Sequence, residues 1–258
     1  MKVLTLLNEK GGVGKTTLAV HIAAGLAIRG HRVLLIDADP QGHATVAFEL
    51  KKEPMLHDLL VRDIPFQQAV RRVPPKIYGL PEEPPKGELL VIPSDVSTKV
   101  IPLMTSDVMV VRNRLAELDK IIDIVIFDTA PTPSLLHGSI YMSTDAIIYP
   151  TKCEFLSFDG LVESLKHREE AASPRRQLGL GDIRIGGIVP TMYRAGTQAD
   201  EYGISVLKER FGGLVWPEIN LRTVWNQASF ARRVLFNFAP ETKAAREAWR
   251  TVEHAEAL

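Results

Sequence analysis

Cysteine is almost absent: Cys153 is the only one in 258 residues. One thiol makes no internal disulfide and cannot alone hold a metal or an iron–sulfur cluster, so it is expected as a small buried apolar residue. Charge leans to neither sign, with 31 Lys and Arg against 31 Asp and Glu. Any hold on a polyanion must then come from a local patch, and it would be weak and salt-sensitive. No apolar run approaches the roughly 20 residues that span a bilayer, and MKVLTLL opens the chain without a cleavage pattern, so a cytoplasmic location is expected. Ordinary contents of apolar (45%) and charged (24%) residues exclude wholesale disorder.

What the chain does have is alternation. Short apolar runs recur with helical stretches between them, the pattern of a mostly parallel α/β sheet covered by helices on both faces. At this length a single domain over 1–258 is expected. Strands are predicted at Val3–Leu7, Arg32–Asp37, "LLVIPSD", "IIDIVIFDTAP", "DAIIYPTKC" and "IRIGGIVPTMY", with a last short one near Leu214–Trp216. The apolar spacing from Thr16 to about Arg29 predicts a helix that Gly30 closes. Between Arg71 and Leu89 the density of proline argues against both helix and inner strand, so an exposed loop over about 72–88 is expected, with a polyproline docking segment as the lesser alternative.

The densest chemistry lies in "NEKGGVGKTT", residues 8–17. It is a phosphate-binding loop with one difference: the first glycine of G-x-x-x-x-G-K-[ST] is replaced by Glu9, and a second lysine, Lys10, follows. Gly11, Gly12 and Gly14, with Val13 between them, allow a tight turn whose N–H groups face inward, at the positive end of the following helix. Lys15 is placed for the outer phosphates, the Thr16 hydroxyl for a magnesium ion bridging them, and Thr17 for the α-phosphate. Such a site needs carboxylates at neighbouring strand ends, and Asp37, Asp39 and Asp128 stand there. Asp128 suits contact to the ion through water; Asp39 suits orientation of an attacking water.

"KGGVGKTT", "LLIDADPQGHAT", "IVIFDTAP" and "TKCEFLSFDGL" resemble the deviant Walker A loop, the following Asp motif, the Walker B strand and a downstream segment of the ParA family of partition ATPases. The likeness continues through "LHDLL", "VIPSD", "GGIVPTMYRAGT" and residues 211 to about 240, so it covers nearly the whole chain. It implies a P-loop NTPase fold and slow, partner-stimulated hydrolysis of ATP with Mg2+. It also implies a role for Lys10. The matching lysine of the family reaches across a two-fold interface to the partner subunit's triphosphate, so catalysis would use Lys10, Lys15 and Asp39 in an ATP-dependent homodimer. Met192 and Thr223 complete the implied nucleotide-binding positions.

Family members of this kind bind DNA without sequence preference in the ATP-bound dimer, associate with the nucleoid, and act with a ParB-like centromere-binding protein. The resemblance assigns that contact to Arg222, in "EINLRTVWNQA", where Leu221 and Thr223 replace the family's flanking residues. Arg194, Arg232 and Arg233 are further candidates, and Gly196 stands where a second family arginine would. A MinD-like positioning ATPase, acting at a membrane or on another cargo, is the alternative. The closing "EAWRTVEHAEAL", with Glu247, Glu253 and Glu256, suits an anionic bilayer poorly, so no membrane partner is expected. Iron–sulfur carriers sharing the loop need cysteines that are missing.

Overall fold

The computed structural model describes residues 1–258, with the side chains of all but 155–157, which fall within "TKCEFLSFDGL". Seven strands form one sheet: β1 (Lys2–Leu6), β2 (Arg32–Ala38), β3 (Arg71–Arg72), β4 (Glu88–Ile92), β5 (Ile124–Thr129), β6 (Ala146–Lys152) and β7 (Arg184–Thr191). Their spatial order is β3-β4-β2-β5-β1-β6-β7, and every pairing is parallel except that of β3 with β4. The mostly parallel α/β fold expected from the alternation is the fold observed.

The inner strands are β-branched and aliphatic because both their faces are covered. All six residues of β5 are buried. On one face Leu4, Leu6, Leu35 and Ile126 pack beneath the Lys15–Arg29 helix and the Lys243–Glu256 helix. On the other, Leu34, Ile36, Val125 and Phe127 meet Leu59, Val111, Leu115 and Ile140. Each such side chain contributes ~1.5–3 kcal/mol of transfer free energy, which makes the strand ends a rigid platform.

That platform fixes the geometry of the site. Register sets Leu6 opposite Asp128 and Asp37 opposite Asp128, so the carboxyl ends of β1, β5 and β2 finish side by side. This is the place where a doubly wound sheet leaves its crevice.

Two expectations need correction. The proline-rich stretch is not simply an exposed loop: it contains the edge strand β3 and a helical turn over Pro75–Tyr78, with Val73, Ile77 and Tyr78 buried. Proline is compatible with the first helical position, where no N–H partner is needed, and the apolar residues between the prolines find the core. Leu214–Trp216 is not a strand either. Gly212–Leu214 is a 3₁₀ turn, and only Val215 bridges β7, at Ile188. Cys153 is buried as expected, and burial pushes its thiol up to about 12.

Candidate functional site

Residues 8–14 turn at the end of β1 into the Lys15–Arg29 helix. Gly12 and Gly14 have φ of 69° and 91°, backbone that a side chain would strain, which is why glycine stands at both. The loop is pinned at its flanks. Asn8 donates from Nδ2 to the Pro150 carbonyl (2.8 Å) and accepts the Lys10 N–H on Oδ1 (2.8 Å). The Thr191 hydroxyl donates to the Val13 carbonyl at 2.8 Å. Met192 follows it with φ of 54° and lines the clefts on both sides of Gly14.

The two lysines are used differently. The Lys15 ammonium is buried and donates to the carbonyls of Asn8 (2.8 Å) and Lys10 (3.0 Å), folded over its own loop. Burial lowers its pKa, and the charges of Asp128 and Asp39 partly offset this. Lys10 is half-buried, and among the described residues its ammonium makes no hydrogen bond or ion pair.

The three aspartates also divide. Asp37 is part of the framework: its Oδ2 accepts from the Thr45 N–H (2.8 Å) and hydroxyl (2.7 Å), and its Oδ1 from the Asp39 N–H (3.2 Å). Asp39 lines the cleft over the loop, with Oδ1 accepting the Gln41 N–H at 2.8 Å. Asp128 is fully buried, and neither of its oxygens has a hydrogen-bond partner. Its pKa lies well above the ordinary carboxylate value because of burial and the charge of Asp37 beside it. The nearby Thr16 hydroxyl opposes the shift without reaching hydrogen-bond geometry.

A buried carboxylate without donors is anomalous unless a cation or water-bound cation comes to it. The residues present therefore fit a magnesium ion, with the Thr16 hydroxyl beside Asp128. Among the described residues no three His, Cys, Asp or Glu side chains form a metal cluster, so Asp37, Asp39 and Asp128 are not a carboxylate cage. Magnesium does not need one, because it keeps several waters and takes phosphate oxygens as ligands.

A cleft of about 800 Å³ covers the loop and is walled by Gly12, Lys15, Thr16, Asp39, Ser134 and His137. The last two were not anticipated. Ser134 precedes the Leu135–Ser143 helix, and its hydroxyl is turned to His137 Nδ1 (3.0 Å). His137 Nε2 donates to the Ala130 carbonyl (3.1 Å), so Nδ1 accepts, and burial lowers the ring's pKa and keeps it neutral. The S-x-x-H spacing after "DTAP" was the available signal.

A second cleft of about 600 Å³ opens beyond Gly14 and Thr17, walled by Met192, Arg222, Trp225, Asn226, Phe230 and Arg232. Thr223 begins the Thr223–Phe230 helix, is exposed, and lies outside this wall. Of the four candidate arginines, three face carboxylates. Arg222 donates to Glu247 Oε1 at 2.9 Å, Arg194 lies 3.5 Å from Glu154 and 4.0 Å from Asp200, and Arg233 pairs with Glu49. Arg232 is exposed, and among the described residues its side chain has no such partner.

A family model described as an AAA domain, AAA_31, matches residues 1–177. The chromosome partitioning protein ParA of Caulobacter vibrioides is 29% identical over 236 residues, 87% of this chain and 82% of its own. The ATP complex of a McdA variant from Cyanothece superposes with a TM-score of 0.81 at 22% identity, covering 100% of this chain and 96% of that one, a likeness of fold. Cobyrinic acid a,c-diamide synthase of Mycobacterium smegmatis, solved with an ATP analogue and magnesium, has a TM-score of 0.71 at 25% identity over 96% of this chain and 98% of its own.

Proposed function

Because the chain belongs to the AAA_31 family and, within it, to the ParA-type partition and positioning ATPases, we propose that it is a slow Mg2+-dependent ATPase whose ATP-bound form is a sandwich homodimer. The dimer binds DNA without sequence preference and drives plasmid or chromosome partition with a ParB-like centromere-binding partner. The observation that carries this proposal is Asp128, buried and without a donor at the end of β5, with Thr16, Lys15 and Asp39 around it.

The inward N–H groups of residues 11–14 hold the phosphates, and the Lys15 ammonium leaves two backbone carbonyls to reach them. Thr17, at the helix start, takes the α-phosphate. Thr16 and Asp128 would hold a magnesium ion, which would supply charge neutralisation at the phosphates. Asp37 fixes the Asp39 backbone, and Asp39 orients the water that attacks. Lys10, with its ammonium unengaged, serves the partner subunit's triphosphate.

For DNA, Arg232 is the most available of the four arginines; Arg222, Arg194 and Arg233 would have to leave carboxylates first. The MinD-like alternative has less support. The Lys243–Glu256 helix is amphipathic, but Ala244, Ala245, Ala248, Val252 and Ala255 are already buried, with the helix packed on Lys15–Arg29. No helix of the described residues is long and apolar enough to cross a membrane.

The test is salt-sensitive binding to arbitrary duplex DNA, expected with ATP and not with ADP. Equal binding in both nucleotide states would leave an ATPase without the partition switch.

A further inference from the structure

Lys10 can serve a neighbouring subunit only if the backbone that carries it is held in one place, and a misplacement of about 1 Å at such a residue costs on the order of a hundredfold in rate. The loop's own contacts hold one side of the segment 8–10, through Asn8 and Pro150. The other side is held from far along the chain, by the Phe155–Gln177 helix.

Three residues one turn apart on that helix meet the segment. Gly160 lies directly under it: a Cβ there would come 2.8 Å from Asn8 Oδ1, 2.9 Å from Lys10 Cβ and 3.1 Å from Lys10 N. Ser164, fully buried, donates its hydroxyl proton to the Gly160 carbonyl (2.6 Å), which leaves its oxygen to accept the Glu9 N–H (3.0 Å). His167 pairs with the Glu9 carboxylate through Nδ1, and its Nε2 lies 4.0 Å from Glu170. Glu9 is thus held at both its N–H and its side chain, and it occupies the position where an ordinary phosphate-binding loop has its first glycine.

We propose that Ser164 and His167, seated by Gly160, are positioning residues that grip Glu9 and so fix the direction in which Lys10 leaves the loop toward a second copy of this chain. This rests on the sandwich dimer proposed above. It assigns no contact with nucleotide to the three residues, whose effect is on assembly and not on capture of ATP.

The experiment measures, for each protein with Mg2+ and a non-hydrolysable ATP analogue, analogue affinity at low protein concentration and the dimer dissociation constant by light scattering. His167→Ala and Gly160→Ala are expected to bind the analogue like wild type and to weaken the dimer about tenfold or more, the worth of one lost charged contact. His167→Lys, which places a hydrogen-bond donor opposite Glu9, restores most of that loss. A cycle of Glu9→Gln, His167→Ala and the double variant is expected to be strongly non-additive, with the double no worse than either single. A merely structural role would lower analogue affinity and the melting midpoint together. If Lys10→Ala abolishes the dimer while His167→Ala and Gly160→Ala assemble like wild type, the positioning role is overturned and the dimer stands. A wild type that stays monomeric overturns both.

Discussion

His21 gives the molecule a defined weakness to acid. It sits in the second turn of the helix after the phosphate loop, buried against Trp225 and Phe236 at the wall of the second cleft. Its Nε2 accepts the Leu235 N–H at 3.0 Å, so the proton is on Nδ1, which donates to the Thr17 carbonyl at 2.7 Å. Protonation would remove the acceptor and bury a charge; burial accordingly lowers its pKa from 6.5 to about 4. With the folded value below the unfolded one, the unfolded chain binds the proton first. Stability is therefore complete above about pH 6.5 and is lost as pH falls toward 4. For these two values the loss between pH 7.5 and pH 5 is about 2 kcal/mol, approaching about 3 kcal/mol below pH 4. Urea unfolding of wild type and His21→Gln at both pH values isolates the contribution. The variant starts lower at pH 7.5 by ~1–3 kcal/mol, because the flexible amide does not bridge the Leu235 N–H and the Thr17 carbonyl as the ring does, but its stability falls by about 2 kcal/mol less on acidification. Parallel pH profiles for the two proteins would refute the assignment.

Other perturbations separate the roles within the cleft. Asp39→Ala is expected to bind ATP and dimerise but to lose at least a hundredfold in turnover, read by phosphate release, so that the ATP-bound dimer accumulates on gel filtration. Asp128→Asn removes a carboxyl group whose ionisation is opposed by burial and by Asp37, so nucleotide-free protein should melt higher by calorimetry, while magnesium no longer strengthens nucleotide binding. Arg232→Ala should weaken DNA binding uniformly across sequences and reduce the slope of log K against log salt by about one, whereas Arg222→Ala should cost stability through Glu247 as well.

The inner strands, the glycine loop and the strand-end aspartates were legible because each is written in a local pattern: an apolar run, a glycine string, a carboxylate next to a run's end. Ile77 and Tyr78 were hidden by the prolines around them, since composition reports backbone freedom and says nothing of which side chains find the core. Asp37 read as a metal candidate beside Asp39 and Asp128, and only the fold brings Thr45 close enough to occupy its oxygens. Arg222 likewise read as a DNA contact, and its pairing with Glu247, 25 residues away, was not visible in the sequence. A still greater distance in sequence, about 150 residues, separates Gly160, Ser164 and His167 from the loop they touch.

The different fates of the two lysines make that remote contact necessary. Lys15 closes the loop by donating to the carbonyls of Asn8 and Lys10, so one ammonium stiffens the backbone that carries the other. In the proposed dimer, phosphate would take that ammonium away, and the two carbonyls would lose their donor at the moment Lys10 has to be rigid. The contacts on segment 8–10 that do not involve Lys15 include the Asn8 side chain on Pro150 and on the Lys10 N–H, and the grip of Ser164 and His167 on Glu9. Stiffness of the segment in the nucleotide-bound state must come from these, because glycines at 11, 12 and 14 supply none. The Phe155–Gln177 helix therefore has to stay seated on the loop when ATP arrives, and amide hydrogen exchange at Glu9 should remain as slow with the analogue bound as without it. Faster exchange at Glu9 on binding would mean that the segment is held by Lys15 alone.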